Sequence, residues 1–202
     1  MEKSPAPVLS RKQALGLLAL GGTGLLTACS SSSDSLADQA NAADAKGYIA
    51  GDGSVTEYPQ DQRGEPIEFE GDLFDGASLK ASDLRGKPLL LNFWYAGCAP
   101  CRAEAPLLNE LHASFGQQIN FYGVNVRDEQ GTAAAFEKKF GVPYPSFRDI
   151  NGKVLLALSR YVPAQAVPTT IICDSQGRVA ARILGQLDQS VINTLLEDQI
   201  SA

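Results

Sequence analysis

The chain has 202 residues, 44% of them hydrophobic and 20% charged, with a formal net charge of −6. That length suits one domain plus extensions, and the composition is globular rather than disordered. No basic patch interrupts the acidic balance, which argues against nucleic acid as a partner.

Lys3, Arg11 and Lys12 give a positive start, and Ala14 to Leu26 follows as an apolar stretch rich in Gly and Leu. It falls short of the roughly 20 residues that a membrane span needs, so a secretory signal is expected. Leu26-Thr27-Ala28-Cys29 resembles the bacterial lipobox. The resemblance implies that residues 1–28 are removed and that Cys29 is lipidated as the mature N-terminus. An ordinary signal peptide with an incidental cysteine is the alternative. Ser10-Arg11-Lys12 lacks one arginine of a twin-arginine signal, which leaves the export route open. One acyl chain anchors a protein only marginally, and the lipoprotein reading supplies at least two. Residues 29–50 contain a Ser-, Ala- and Asp-rich stretch without apolar period and are expected to form a flexible tether. The folded domain is expected over 51–202.

Ile67–Phe69 and Leu73–Phe74 read as the arms of a short hairpin, and Leu79 to Leu84 before Gly86 as a helical turn with a stop. Pro88 to Trp94 predicts a buried strand. Leu107, Leu108, Leu111 and Phe115 lie at helical spacing and predict a helix over about Ala99–Phe115, with Pro106 expected to kink it. Ile119–Val126 predicts a second buried strand, Thr132–Phe140 a helix ended by Gly141, and Val154–Tyr161 another helix. Thr169–Cys173 and Val179–Leu184, joined by Ser175-Gln176-Gly177, predict an antiparallel hairpin. Ser190–Glu197 closes as a helix carrying Val191, Leu195 and Leu196. This order predicts an α/β fold, a mixed sheet with helices on both faces.

The four cysteines are Cys29, Cys98, Cys101 and Cys173, and the middle two fall in the stretch WYAGCAPCRAEAP from Trp94 to Pro106. As a structural staple, Cys98–Cys101 would close a loop too small to restrict the unfolded chain much. Zinc takes four ligands, or three and a water. Only Cys173 and the single histidine, His112, could add to the pair, and His112 lies three turns further along the helix, so no metal site is expected. Redox exchange fits the position. A helix N-terminus presents unpaired N–H groups and partial positive charge, and Cys-x-x-Cys thiols have pKa values lowered to about 3.5–7.5. Cys98 is expected to be the exposed nucleophile and Cys101, one turn inside, the resolving thiol. Cys173 is expected to be a buried, inert thiol.

LNFWYAGCAPCRAEAP, the later VPTT and the hairpin IICDSQGRV together resemble the thioredoxin fold. More narrowly they resemble the TlpA/ResA family of membrane-tethered bacterial thiol–disulfide oxidoreductases, from roughly Gly64 to the C-terminus. The resemblance implies a three-layer thioredoxin-like domain with an N-terminal hairpin extension, no cofactor, and a redox-active disulfide between Cys98 and Cys101. It makes Pro168 the cis proline beside the cysteines. Trp94, Val167 and Pro168 then become substrate-binding residues, with the Val167 backbone pairing to an extended strand. Thioredoxin itself has aspartate where this chain has Asn92, which cannot titrate. Glu104, three residues past Cys101, matches an acidic position of the ResA-like branch and is expected to move protons for Cys101. Gly97 stands where a bulky aromatic is common, which implies a more open site.

The implied partners are oxidised extracytoplasmic proteins, apocytochrome c among them, a membrane thiol-reducing electron donor, and the membrane through the lipid anchor. Two other functions fit the residues less well. A peroxiredoxin-like thiol peroxidase would carry Thr-x-x-Cys, and Tyr95 stands at that position. A copper-delivery module would use the soft sulfurs, but related carriers space their cysteines one residue wider and add a placed histidine.

Overall fold

The computed structural model describes residues 51–201. The expected signal segment, Cys29 and the tether lie outside the described residues. The chain runs β1 (Val55–Glu57), β2 (Glu70–Asp72), β3 (Ser78–Lys80), a 3-10 turn (Ala81–Leu84), β4 (Leu89–Trp94), α1 (Ala99–Phe115) and β5 (Asn120–Asn125). It continues through α2 (Gln130–Phe140), β6 (Ser146–Arg148), α3 (Lys153–Ala157), β7 (Thr169–Cys173), β8 (Val179–Leu184) and α4 (Gln189–Ser201).

Six strands form one sheet in the order β1-β8-β7-β4-β5-β6, with β2 and β3 paired apart from it. β4, β5 and β6 are parallel. Parallel neighbours need a crossover, and α1 and α2 supply the two. β7 runs antiparallel to β4, β8 to β7, and β1 to β8. This is the expected mixed sheet.

β4 is buried at all six positions, as a strand covered on both faces must be. Alternation divides it. Leu90 joins Leu108 and Leu111 of α1 and Ile192, Leu195 and Leu196 of α4 in one cluster. Leu91 and Phe93 belong to another, with Phe69, Phe147, Val154 and Leu158. The β2–β3 hairpin packs on α3 and β6, where Gly71 is close enough that a methyl group would come within 2.9 Å of Phe147.

The hairpin arms differ from expectation. Ile67–Phe69 is not a strand; its N–H and C=O groups bond to Gly177 and Ala81 instead. The turn sits at Asp75-Gly76, with Gly76 at φ +90° and the Leu73 N–H donating to Ala77 O at 2.8 Å. That turn sets the arms at 70–72 and 78–80. The predicted helix Val154–Tyr161 stops at Ala157, and residues 158–161 continue as turns bonded three residues back. β1 and β6 have no counterpart in the sequence reading: three residues each give no readable period. α1 runs unbroken through Pro106.

Candidate active site

Four residues turn the chain from β4 into α1, and side chains from the β5–α2 loop hold them. The Ala96 N–H donates to Asp128 Oδ2 at 2.6 Å, and Asn125 Nδ2 donates to the same oxygen at 2.9 Å. The Arg127 guanidinium lies 4.2 Å from the centre of the Tyr95 ring. Cys98 is the N-cap of the 17-residue helix, and its Sγ accepts the Cys101 N–H at 3.2 Å. Proline in the first turn fits because the N–H it lacks would have no helical partner there.

Cys98 and Cys101 are joined as a disulfide. Both residues are buried, at 0% and 3% exposure. This corrects the expectation of an exposed first thiol: in the oxidised form Cys98 packs in the cluster of Trp94, Tyr95 and Val167. Its neighbours Gly97 and Ala99 are exposed, so the sulfurs lie directly beneath the surface. A methyl group on Gly97 would come within 3.0 Å of the Tyr95 ring, so this position has no room for a larger residue without moving that ring.

The Val167–Pro168 bond is cis. Pro168 O accepts the Gly185 N–H at 2.8 Å. Val167 packs in the disulfide's cluster, and its backbone has no hydrogen-bond partner among the described residues.

Glu104 is 1% exposed, on α1 one turn past Cys101. Its Oε1 accepts from Asn92 Nδ2 at 2.8 Å and its Oε2 from the Leu187 N–H at 3.3 Å. Burial pushes its pKa up to about 8; the bonds from Asn92 and Leu187 oppose the shift without cancelling it. Asn92 also donates to Thr170 Oγ1 at 3.2 Å, so its amide is fixed between α1 and β7. A cavity of about 10 Å³ is lined by Asn92, Trp94, Cys101 and Tyr144 among others. Tyr144 is held protonated, first by burial and then by the charges of Glu104 and Glu137.

Trp94 is 4% exposed and stacks on Phe136 with ring centres 4.4 Å apart, so it supports the site from below. Opposite it Gly123 is required by space: a methyl group there would sit 2.6 Å from Trp94 Nε1 and 2.4 Å from Ser146 Oγ. Gly123→Ala should therefore cost about 1–3 kcal/mol, read as a lower urea midpoint and a changed emission of the chain's one tryptophan. An unchanged midpoint would show that the site tolerates a shift of Trp94.

Cys173 is free and fully buried, and burial pushes its thiol well up, with Asp174 adding and Arg63 opposing. A protonated, enclosed thiol is a poor nucleophile. His112 is half-buried against Phe121 and Tyr144, with ring centres 5.4 and 5.7 Å away. Among the described residues no group of three or more His, Cys, Asp and Glu side chains could hold a metal ion. Sequence reasoning missed the holding role of Asn92 and of Asp128. An amide inside the run LLLNFW was a signal, because a buried polar side chain needs a partner. Nothing in the sequence placed Asp128 beside residue 96.

Residues 64–182 match the model of the AhpC/TSA family. A protein named thiol-disulfide oxidoreductase ResA, from Geobacillus thermodenitrificans, is 32% identical over 124 residues, 61% of this chain and 69% of that protein. Among solved structures, a DsbF homologue from Corynebacterium diphtheriae superposes with a TM-score of 0.67 at 34% identity, covering 73% of this chain and 94% of that one. A secreted thiol-disulfide isomerase from Corynebacterium glutamicum gives 0.66 at 28% identity, covering 75% and 95%. With its disulfide at the mouth of α1 and this likeness over most of its length, the chain belongs to the AhpC/TSA family, among its thioredoxin-fold thiol–disulfide oxidoreductases.

Proposed function

We propose that the protein reduces disulfides of other proteins outside the cytoplasmic membrane, with Cys98 and Cys101 as the redox pair. The observation that carries this reading is a disulfide at a helix N-terminus with a buried, proton-holding carboxyl one turn behind it. In the reduced enzyme, Cys98 as thiolate attacks one sulfur of a substrate disulfide. A mixed disulfide forms and the other substrate sulfur leaves as a thiolate. The N–H that Cys98 Sγ accepts, and the positive end of the helix, stabilise the attacking charge. Cys101 loses its proton, attacks Cys98 Sγ and expels the second substrate sulfur. The Cys98–Cys101 bond is formed, the substrate disulfide is broken, and two electrons have moved to the substrate. Glu104 takes the Cys101 proton and returns it when the pair is reduced again.

The Val167 backbone beside Pro168, without a hydrogen-bond partner among the described residues, holds an extended substrate strand across the site. A membrane thiol-reducing protein restores the dithiol by the same exchange in reverse. Lipidated Cys29 tethers the chain to the outer face of the cytoplasmic membrane, and the secreted relative from Corynebacterium glutamicum is consistent with an extracytoplasmic setting. Haem-attachment cysteine pairs of apocytochrome c suit the enzyme as substrates. Among the described residues no helix is long and apolar enough to cross a membrane. In the test, the full chain with dithiothreitol should precipitate insulin well ahead of dithiothreitol alone; equal onset times would end this reading.

A further inference from the structure

Beside the disulfide, between the first turns of α1 and the outer face of α2, lies an open groove of about 410 Å³. Phe136 and Phe140 form its apolar wall, Ala96 also lines it, and Arg102 and Lys139 supply its charge. The two cations converge on one ring: Arg102 Cζ and Lys139 Nζ stand 5.9 and 5.6 Å from the centre of Phe140. Both side chains belong to exposed residues, and neither forms an ion pair among the described residues. On a chain of net charge −6 this is a local reversal of sign, and no carboxylate lines the groove.

We infer that this groove is a specificity subsite for the substrate polypeptide, taking an apolar side chain against Phe140 and an adjacent Asp or Glu between Arg102 and Lys139. The aromatic face holds the two cations in place without neutralising them, so an arriving carboxylate meets a charge pair already positioned. Ala96 is two residues from Cys98, a Cα separation of at most about 7.6 Å at 3.8 Å per residue. Arg102 directly follows Cys101, so the acidic residue belongs within a few positions of the substrate's reacting cysteine. The inference rests on the oxidoreductase reading and narrows it to disulfides with an acidic, apolar flank.

The test uses three synthetic peptides, each closed by one disulfide and flanked by Phe-Asp, Phe-Asn or Phe-Lys, as substrates for the full chain with dithiothreitol. The wild type should prefer the Asp peptide over the Asn peptide by about fivefold in kcat/KM and disfavour the Lys peptide by a similar factor, a span set by two exposed ion pairs. Raising the salt to 0.5 M should shrink both ratios, because the Debye length falls below about 5 Å. In Lys139→Glu the Lys peptide should gain on the Asp peptide, and in Lys139→Gln the preference should flatten. Ratios near one in the wild type, or ratios that ignore both variants, would overturn the subsite while leaving the enzyme reading intact. No turnover of any peptide would overturn both.

Discussion

Cys98→Ser should lose insulin reduction entirely, leaving only the rate of dithiothreitol itself, whereas Cys101→Ser should stall with the substrate still attached. The two residues share one disulfide, yet the geometry separates their roles. Cys98 is the helix cap and its sulfur accepts the Cys101 N–H. Cys101 lies one turn in, three residues before buried Glu104. Without Cys98 no thiol remains at the cap to open a substrate disulfide. Without Cys101 the first exchange proceeds, but no neighbouring thiol expels the substrate. Mass spectrometry of Cys101→Ser mixed with oxidised insulin should find a covalent adduct through Cys98, and the adduct should dissolve on adding dithiothreitol. An adduct in Cys98→Ser but not in Cys101→Ser would reverse the roles.

Glu104→Gln should change how stability depends on pH. In the unfolded chain Glu104 releases its proton near 4.5, and in the folded chain near 8. Between those values the folded state binds the extra proton, so stability falls as pH rises, by about 1.4 kcal/mol per unit. The contribution is fully present below pH 4.5 and is lost as pH passes through about 8. Summed over that window the oxidised wild type should lose several kcal/mol from this group. The substituted amide carries no such proton. It keeps an oxygen for Asn92 but sets an N–H₂ group against the Leu187 N–H, a loss of about 1 kcal/mol at any pH. Urea titrations of the oxidised proteins should therefore show a shallower fall with pH in the variant, which is slightly weaker than wild type at pH 5 and stronger at pH 8.5. Glu137 and Asp149, also raised by burial, keep their own share of the pH dependence in both. Parallel curves would mean that Glu104 is already ionised in the fold. If Glu104 carries the Cys101 proton as proposed, the same variant should slow disulfide exchange by about tenfold or more at pH 7.

The parts of this molecule that were legible in sequence are those with a local cause. β4, α1, β7 and β8 fall where continuous apolar runs, helical spacing and the turn Ser175-Gln176-Gly177 put them. Cys98 and Cys101 were legible because a helix mouth after a buried strand is a chemical environment in itself. The hairpin at β2 and β3 was displaced because Ile67-Glu68-Phe69 alternates like a strand, while Asp75-Gly76 and contacts distant in sequence decide the pairing. Burial of Cys98 depends on packing with Tyr95 and Val167, the latter nearly seventy residues away, and no local pattern reports that. The same holds for Glu104. Its position on the helix was readable, but the cause of its raised pKa is burial in the assembled core, which outweighs the opposing bonds from Asn92 of β4 and Leu187 beyond β8.

The most direct test is a redox titration of the cysteine pair in the native full chain. The protein is equilibrated in thiol–disulfide buffers of graded potential, quenched in acid, unfolded and alkylated, and the labels are counted and located by mass. Cys98 and Cys101 should gain their labels together in one two-electron transition, with a midpoint between roughly −270 and −120 mV, the span of catalytic pairs. A pair that stays oxidised in every buffer above about −300 mV would be a structural bond, and exchange at this helix mouth would be contradicted.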